Sequence, residues 1–146
     1  MEEFRDESNF VTGFIKDHCE YDDKVMITTS DFCAAFAVWW QEEHGENKGV
    51  PSNKSIGRAM SALSDPLVAI DHDNLRQAGH RYYAGIRLSD SGLDYWLGAA
   101  GDNLAKGKSA RMSRTRDKVI KPVPEGWLYK PAIIRMRRAA AGRREP

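Results

Sequence analysis

Between Ser30 and Leu88 the spacing of apolar residues changes from helical to extended, and that change restricts the folds open to the chain. Phe32, Phe36 and Trp39 or Trp40 recur every three to four residues, which gathers them on one helix face. Ser30 is the expected N-cap of this helix, Asp31 suits the positive end of its dipole, and Gly45 is a natural stop. After a polar loop over residues 45–52, Ile56, Met60 and Leu63 repeat the pattern on a helix over Asn53–Leu63. Ser52 is its expected cap. Lys54, Arg58 and Ser61 fall on its opposite face, and Gly57 is expected to allow close packing on the helix before it.

Past Asp65-Pro66 the apolar period shortens. Leu67, Val68, Ala69 and Ile70 form a strand candidate, residues 71–79 are polar and turn-rich, and residues 81–88 form a second strand. Alternation puts Tyr82, Ala84, Ile86 and Leu88 on one face of that strand, with Arg81, Tyr83 and Arg87 on the other. Helices followed by a β-hairpin predict an α+β fold.

The flanking segments extend this plan. Phe10, Phe14 and Ile15 predict a first helix over residues 9–18. Tyr21-Asp22-Asp23-Lys24 reads as a turn and residues 25–28 as a small edge strand. Leu93, Trp96 and Leu97 predict a helix over residues 91–100. Residues 105–121 are basic and small without an apolar period, the pattern of a linker or arm. Pro122-Val123-Pro124 interrupts any helix. Trp127, Leu128 and Tyr129 can then dock as an anchor. Pro131 starts a last helix with Ile133, Ile134 and Met136 on its apolar side, Arg135, Arg137 and Arg138 on its basic side, and Gly142 at its end. The expected organisation is a folded unit over residues 1–104 and a basic extension with a short helix over residues 105–146.

Charge divides the chain at the same point. Residues 1–104 hold 9 Lys/Arg and 18 Asp/Glu, net −9; residues 105–146 hold 13 and 3, net +10. Either the basic end meets an anionic partner, or it folds back on its own acidic body. No apolar run approaches the roughly 18 residues of a membrane span. The acidic start, MEEFRDES, is neither a secretory signal nor a transit peptide. Two cysteines, Cys19 and Cys33, are too few for a disulfide scaffold, and a reducing cytoplasmic setting is expected.

Catalytic and metal signatures are lacking in the sequence. His18, Cys19, Cys33 and His44 have no ligand-pair spacing, and Asp71-His72-Asp73 falls in a polar turn. The string GxxxxGK[ST] does not occur, nor does GxSxG. The expectation is a non-enzyme without cofactor or metal.

Three helices followed by a hairpin is the plan of a winged helix-turn-helix. Here it would carry an added helix and the basic C-terminal extension. Its third helix would offer Ser52, Asn53, Lys54, Ser55 and Arg58 to DNA, and its wing Arg76, Gln77, His80 and Arg81. Asn pairs with adenine and Arg with guanine, while Ser and Lys suit phosphates. Arg111, Arg114, Arg116, Lys118 and Lys121, interleaved with Ser and Thr, are a second set of phosphate contacts. A solvated or protein-binding face is the alternative for the third helix, and a solubilising tail for the basic segment. Trp127 and Tyr129 either stack on bases or bury against the body.

The segments SDFCAAFAVWWQEEHG, SNKSIGRAM and YYAGIRLS stand in this order between Phe14 and Leu88. Together they resemble the C-terminal winged-helix domain of phage and plasmid primase–helicases, a family that includes poxvirus enzymes. The stretch from Phe14 to Leu88 is about half of the chain. The resemblance implies nucleic-acid binding beside a motor, with Ser55, Gly57, Arg58 and residues 85–88 at matching positions. The chain departs from the family in lacking a P-loop and a primase module, and its loop before the third helix is long. A fragment of a replication protein and a free-standing protein both fit, and Met1 favours the second. A DNA-binding module of a phage or plasmid replication-type protein is the primary expectation. The alternative is a phage- or plasmid-encoded adaptor or inhibitor that docks on a host or replisome protein through its acidic body or Arg-rich tail.

Overall fold

The computed structural model describes residues 10–45, 49–63, 65–70, 74–105, 113 and 115–144. Its elements are α1 (Thr12–His18), β1 (Cys19–Thr28), α2 (Thr29–His44), α3 (Asn53–Leu63), β2 (Arg76–Gln77), β3 (His80–Leu88), α4 (Asp90–Ala105), α5 (Arg116–Val119), β4 (Lys121–Pro122), a 3-10 turn (Glu125–Tyr129) and α6 (Pro131–Arg144). Among the described residues, six helices accompany one four-stranded sheet of order β2-β3-β1-β4, antiparallel throughout. The fold is α+β.

One face of the sheet is covered by α1 to α4. Phe14, Phe32, Phe36, Ile56, Met60 and Trp96 are almost fully buried there with Ile27, Ile86 and Leu88. Phe14 meets Phe32 edge-on at 5.5 Å and Phe36 at 5.6 Å, and Phe32 meets Tyr83 at 5.4 Å, the T-shaped contacts that aromatic quadrupoles favour. The opposite face is covered by the 3-10 turn and α6: Trp127, Ala132, Ile133 and Met136 pack on Met26, Leu75, Tyr82 and Ala84.

The α3 bounds match the expectation, with Ile56, Ala59 and Met60 buried. Several other expectations are corrected. Residues 21–28 do not divide into a turn and an edge strand: β1 is one central strand between β3 and β4. Its pairing with β3 shifts between Tyr21 and Met26, because four residues of β1 oppose Gly85 alone. The α2 cap is Thr28, whose hydroxyl accepts from the Asp31 N–H at 3.1 Å, so the helix starts before Ser30. Leu67 to Ile70 form no regular strand; Ala69 makes one bridge to Ala84.

The hairpin lies later and is tight. Gln77 pairs with His80 around Ala78 and Gly79, whose φ angles of 54° and 80° give the primed turn that matches strand twist. Strict alternation also fails along β3. Tyr82 and Ala84 face α6, whereas Tyr83, Ile86 and Leu88 face the helical layer. Gly85, at φ 93°, is where the strand changes face; a Cβ there would lie 2.2 Å from the Leu67 carbonyl oxygen. The last helix runs past Gly142 to Arg144.

Among its described residues the basic extension packs against the sheet. Val119, Trp127, Ile133 and Met136 are buried, and β4 adds to the sheet beside β1. Apolar side chains spaced along a basic segment suffice to anchor it, because charge is spent on the outer face and burial on the inner. Arg137 Nε stands 3.6 Å from Asp23 Oδ2, and Arg116 stands 3.8 Å from Asp90. The basic end folds back on the acidic body at these points.

Candidate nucleic-acid interface

A groove of about 960 Å³ opens between α3 and the β2–β3 hairpin. Asn53, Lys54, Gly57, Arg58 and Ser61 line it from α3, Arg76, Arg81 and Tyr83 from the hairpin, and Thr29 and Cys33 from α2. Helical periodicity explains the first set. Ile56, Ala59 and Met60 turn into the core, so Lys54, Arg58 and Ser61 emerge on the other side. Pairing explains the second. Arg76 and Arg81 are directly opposed across the ladder, and opposed residues share a sheet face. Gly57 faces the Tyr83 hydroxyl, 3.9 Å from a notional Cβ, rather than α2.

The groove brings together Asn53, Lys54, Arg58, Arg76 and Arg81, and no carboxylate lines it among the described residues. A smaller cavity of about 440 Å³, lined by Thr29, Ser30, Arg76, Gly79, His80 and Arg81, adjoins it. His80 therefore joins the same surface. Ser52 and Ser55 are used differently. The Ser52 hydroxyl accepts from the Ser55 N–H at 3.1 Å and donates to the Ser55 hydroxyl at 3.1 Å, so the pair caps α3 outside the groove.

Several acidic side chains among the described residues lie elsewhere. Asp22 and Asp23 line a cavity beside Ala140 of α6. Glu42 accepts from the Tyr95 hydroxyl at 3.1 Å, between α2 and α4. Asp65 accepts from the Tyr21 hydroxyl at 2.7 Å. Glu46 lies outside the described residues.

None of the described tail cations lines the groove. Arg111 and Arg114 lie outside the described residues. Arg116 and Lys118 are exposed elsewhere, with Arg116 near Asp90. Lys121 is turned inward: its ammonium donates to the Ser113 hydroxyl at 2.9 Å and to the Lys118 carbonyl. Burial pushes its pKa down, partly opposed by the nearby Asp31 carboxylate. Trp127 is buried under Tyr82 with ring centroids 5.7 Å apart, whereas Tyr129 is 84% exposed.

Asp71, His72 and Asp73 lie outside the described residues. Among the described residues no three His, Cys, Asp or Glu side chains are grouped to hold a metal. No helix among them is long and apolar enough to cross a membrane. Sequence reasoning missed Thr29, Ser30 and Asn74 as lining residues. The available signal is the hydroxyl pair Thr29-Ser30 at the start of α2, of which the sequence reading uses Ser30 alone, as a cap. Compared with protein-family models, curated proteins and solved structures, the chain finds no match in any of the three.

Proposed function

We propose that this chain is a winged-helix DNA-binding module, with α3 as the helix that enters the major groove and the β2–β3 hairpin as the wing. One observation carries the reading: four cations, Lys54, Arg58, Arg76 and Arg81, and one amide, Asn53, line a single groove that no carboxylate among the described residues lines. The element order α1-β1-α2-α3-β2-β3 and the sheet order β2-β3-β1 support it, because they set the hairpin beside the third helix. Asn53 and Arg58 are the base-reading candidates; Lys54 and the two hairpin arginines are phosphate contacts. The module binds rather than catalyses, and its similarity in sequence pattern to primase–helicase C-terminal domains suggests a replication setting.

The test is fluorescence anisotropy with labelled duplex and single-stranded DNA over a salt series. Each neutralised duplex phosphate contributes about −0.9 to the log–log salt slope, so the three phosphate-contacting cations predict a slope of about −2 to −3. Arg58→Ala is expected to relax sequence preference, at about 1–3 kcal/mol for a base contact. Absence of binding to either form at low salt overturns the reading. In that event the protein-adaptor alternative takes its place, favoured by exposed Tyr129 and by Ile134 at 36% exposure beside Arg138 on the far layer.

A further inference from the structure

We infer that the smaller cavity beside the hairpin turn is a distinct phosphate subsite, which holds one backbone phosphate of the nucleic acid whose neighbours lie along α3. The inference rests on the DNA-binding reading for the identity of the polymer, but its geometry is independent of it. Thr29, Arg76 and Arg81 line both cavities, so the two are continuous and the arginine pair stands at their junction. Cross-strand pairing fixes Arg76 opposite Arg81, with Cβ atoms of such pairs about 5 Å apart. Two guanidiniums at that spacing match the oxygens of one phosphate, and guanidinium is the side chain best suited to bidentate phosphate bonding.

The remaining lining is also made for an oxyanion. Thr29 and Ser30 bring hydroxyl donors, His80 brings a ring N–H, and Gly79 at the turn leaves the cavity mouth open, with nothing within 4 Å of where its Cβ would be. No carboxylate lines this cavity among the described residues. The backbone is stiff where it matters, because the two-residue turn fixes the strands that carry both arginines. No Phe, Tyr or Trp lines this cavity among the described residues, and its hydroxyl and guanidinium donors suit backbone oxygens.

The experiment is a ¹⁵N–¹H NMR titration of the full chain with inorganic phosphate, with sodium chloride matching ionic strength in a parallel series. Saturable shifts confined to the amides of Thr29, Ser30, Gly79 and His80, lost in Arg76→Gln/Arg81→Gln and kept in Arg138→Gln, support the subsite. Shifts that do not saturate, or that are equally large around α6, overturn it. In a second arm, labelled duplex is bound to the parent and to the double variant. A fall in the salt slope by about one unit, with affinity lost alike on all sequences, assigns the subsite to backbone phosphate. An unchanged slope overturns that assignment even where duplex binding itself persists. Phosphate seating without any duplex binding upholds the subsite and overturns the DNA reading instead.

Discussion

Ser113 reaches across 82 positions of sequence to bond Asp31. Its backbone N–H donates to Oδ1 at 2.9 Å and its hydroxyl donates to Oδ2 at 2.5 Å. The Trp96 indole N–H adds a third donor at 2.9 Å, and the carboxylate is fully buried. A buried charge is tolerated where its acceptor sites are filled. Asp31 therefore joins α2, α4 and the returning basic segment at one point.

Asp31→Ala is expected to destabilise the protein by about 3–5 kcal/mol, since three donors lose their acceptor in a dry site. Asp31→Asn retains one carbonyl acceptor and is expected to cost less. Urea unfolding of the two variants checks the order. Equal, small losses for both would mean that the contact contributes little.

Truncation before Ser113 is expected to unfold the chain rather than yield a tail-free domain. Removing α6 uncovers Met26, Tyr82 and Ala84, which are buried beneath Ile133 and Met136. The single change Ile133→Ala is expected to cost about 2–5 kcal/mol, the range for buried aliphatic truncation. Circular dichroism of the truncated chain and thermal unfolding of the variant measure both. Dissection of phosphate contacts therefore needs point substitutions.

Two turns respond oppositely to small changes. Gly85→Ala combines a positive φ with a 2.2 Å approach to the Leu67 carbonyl, and a Cβ 2.9 Å from Met136 Cγ. A loss of about 3 kcal/mol or more is expected. Ala78, at φ 54°, is the first central residue of the hairpin turn. Ala78→Asn is expected to stabilise by about 1 kcal/mol, because Asn-Gly is preferred in that turn. Chemical denaturation of the two variants gives the sign directly.

The thiols are expected to be unreactive in the folded protein. Burial pushes the Cys33 pKa up to about 12 and raises that of Cys19 as well. Only the thiolate is nucleophilic, so at pH 8 the reactive fraction of Cys33 is on the order of a thousandfold below that of a free thiol. Thiol titration with and without urea tests this: fast reaction under native conditions would contradict the packing.

The local elements were legible in the chain. Spacings of three and four residues set the bounds of α3 and its exposed face, and with them Asn53, Lys54 and Arg58 as site candidates. Pro131 marked the first turn of α6. These features depend on neighbours within one or two turns, where steric and hydrophobic periodicity act directly.

Tertiary structure alone decided which cations converge and where the basic segment goes. Arg76 stands opposite Arg81 only because the chain turns at Ala78-Gly79, and sequence propensity favours several turns across residues 71–79. β1 became a central strand through partners at Leu88 and Lys121, far along the chain. Strand pairing draws its stability from such distant partners, and the register also depends on Gly85, whose face change reverses the strand's alternation. The tail's destination followed from the same physics. Its charges made two outcomes equally reasonable, and burial of Trp127, Ile133 and Met136 against the sheet, beside the Asp31–Ser113 contact, selected the folded one.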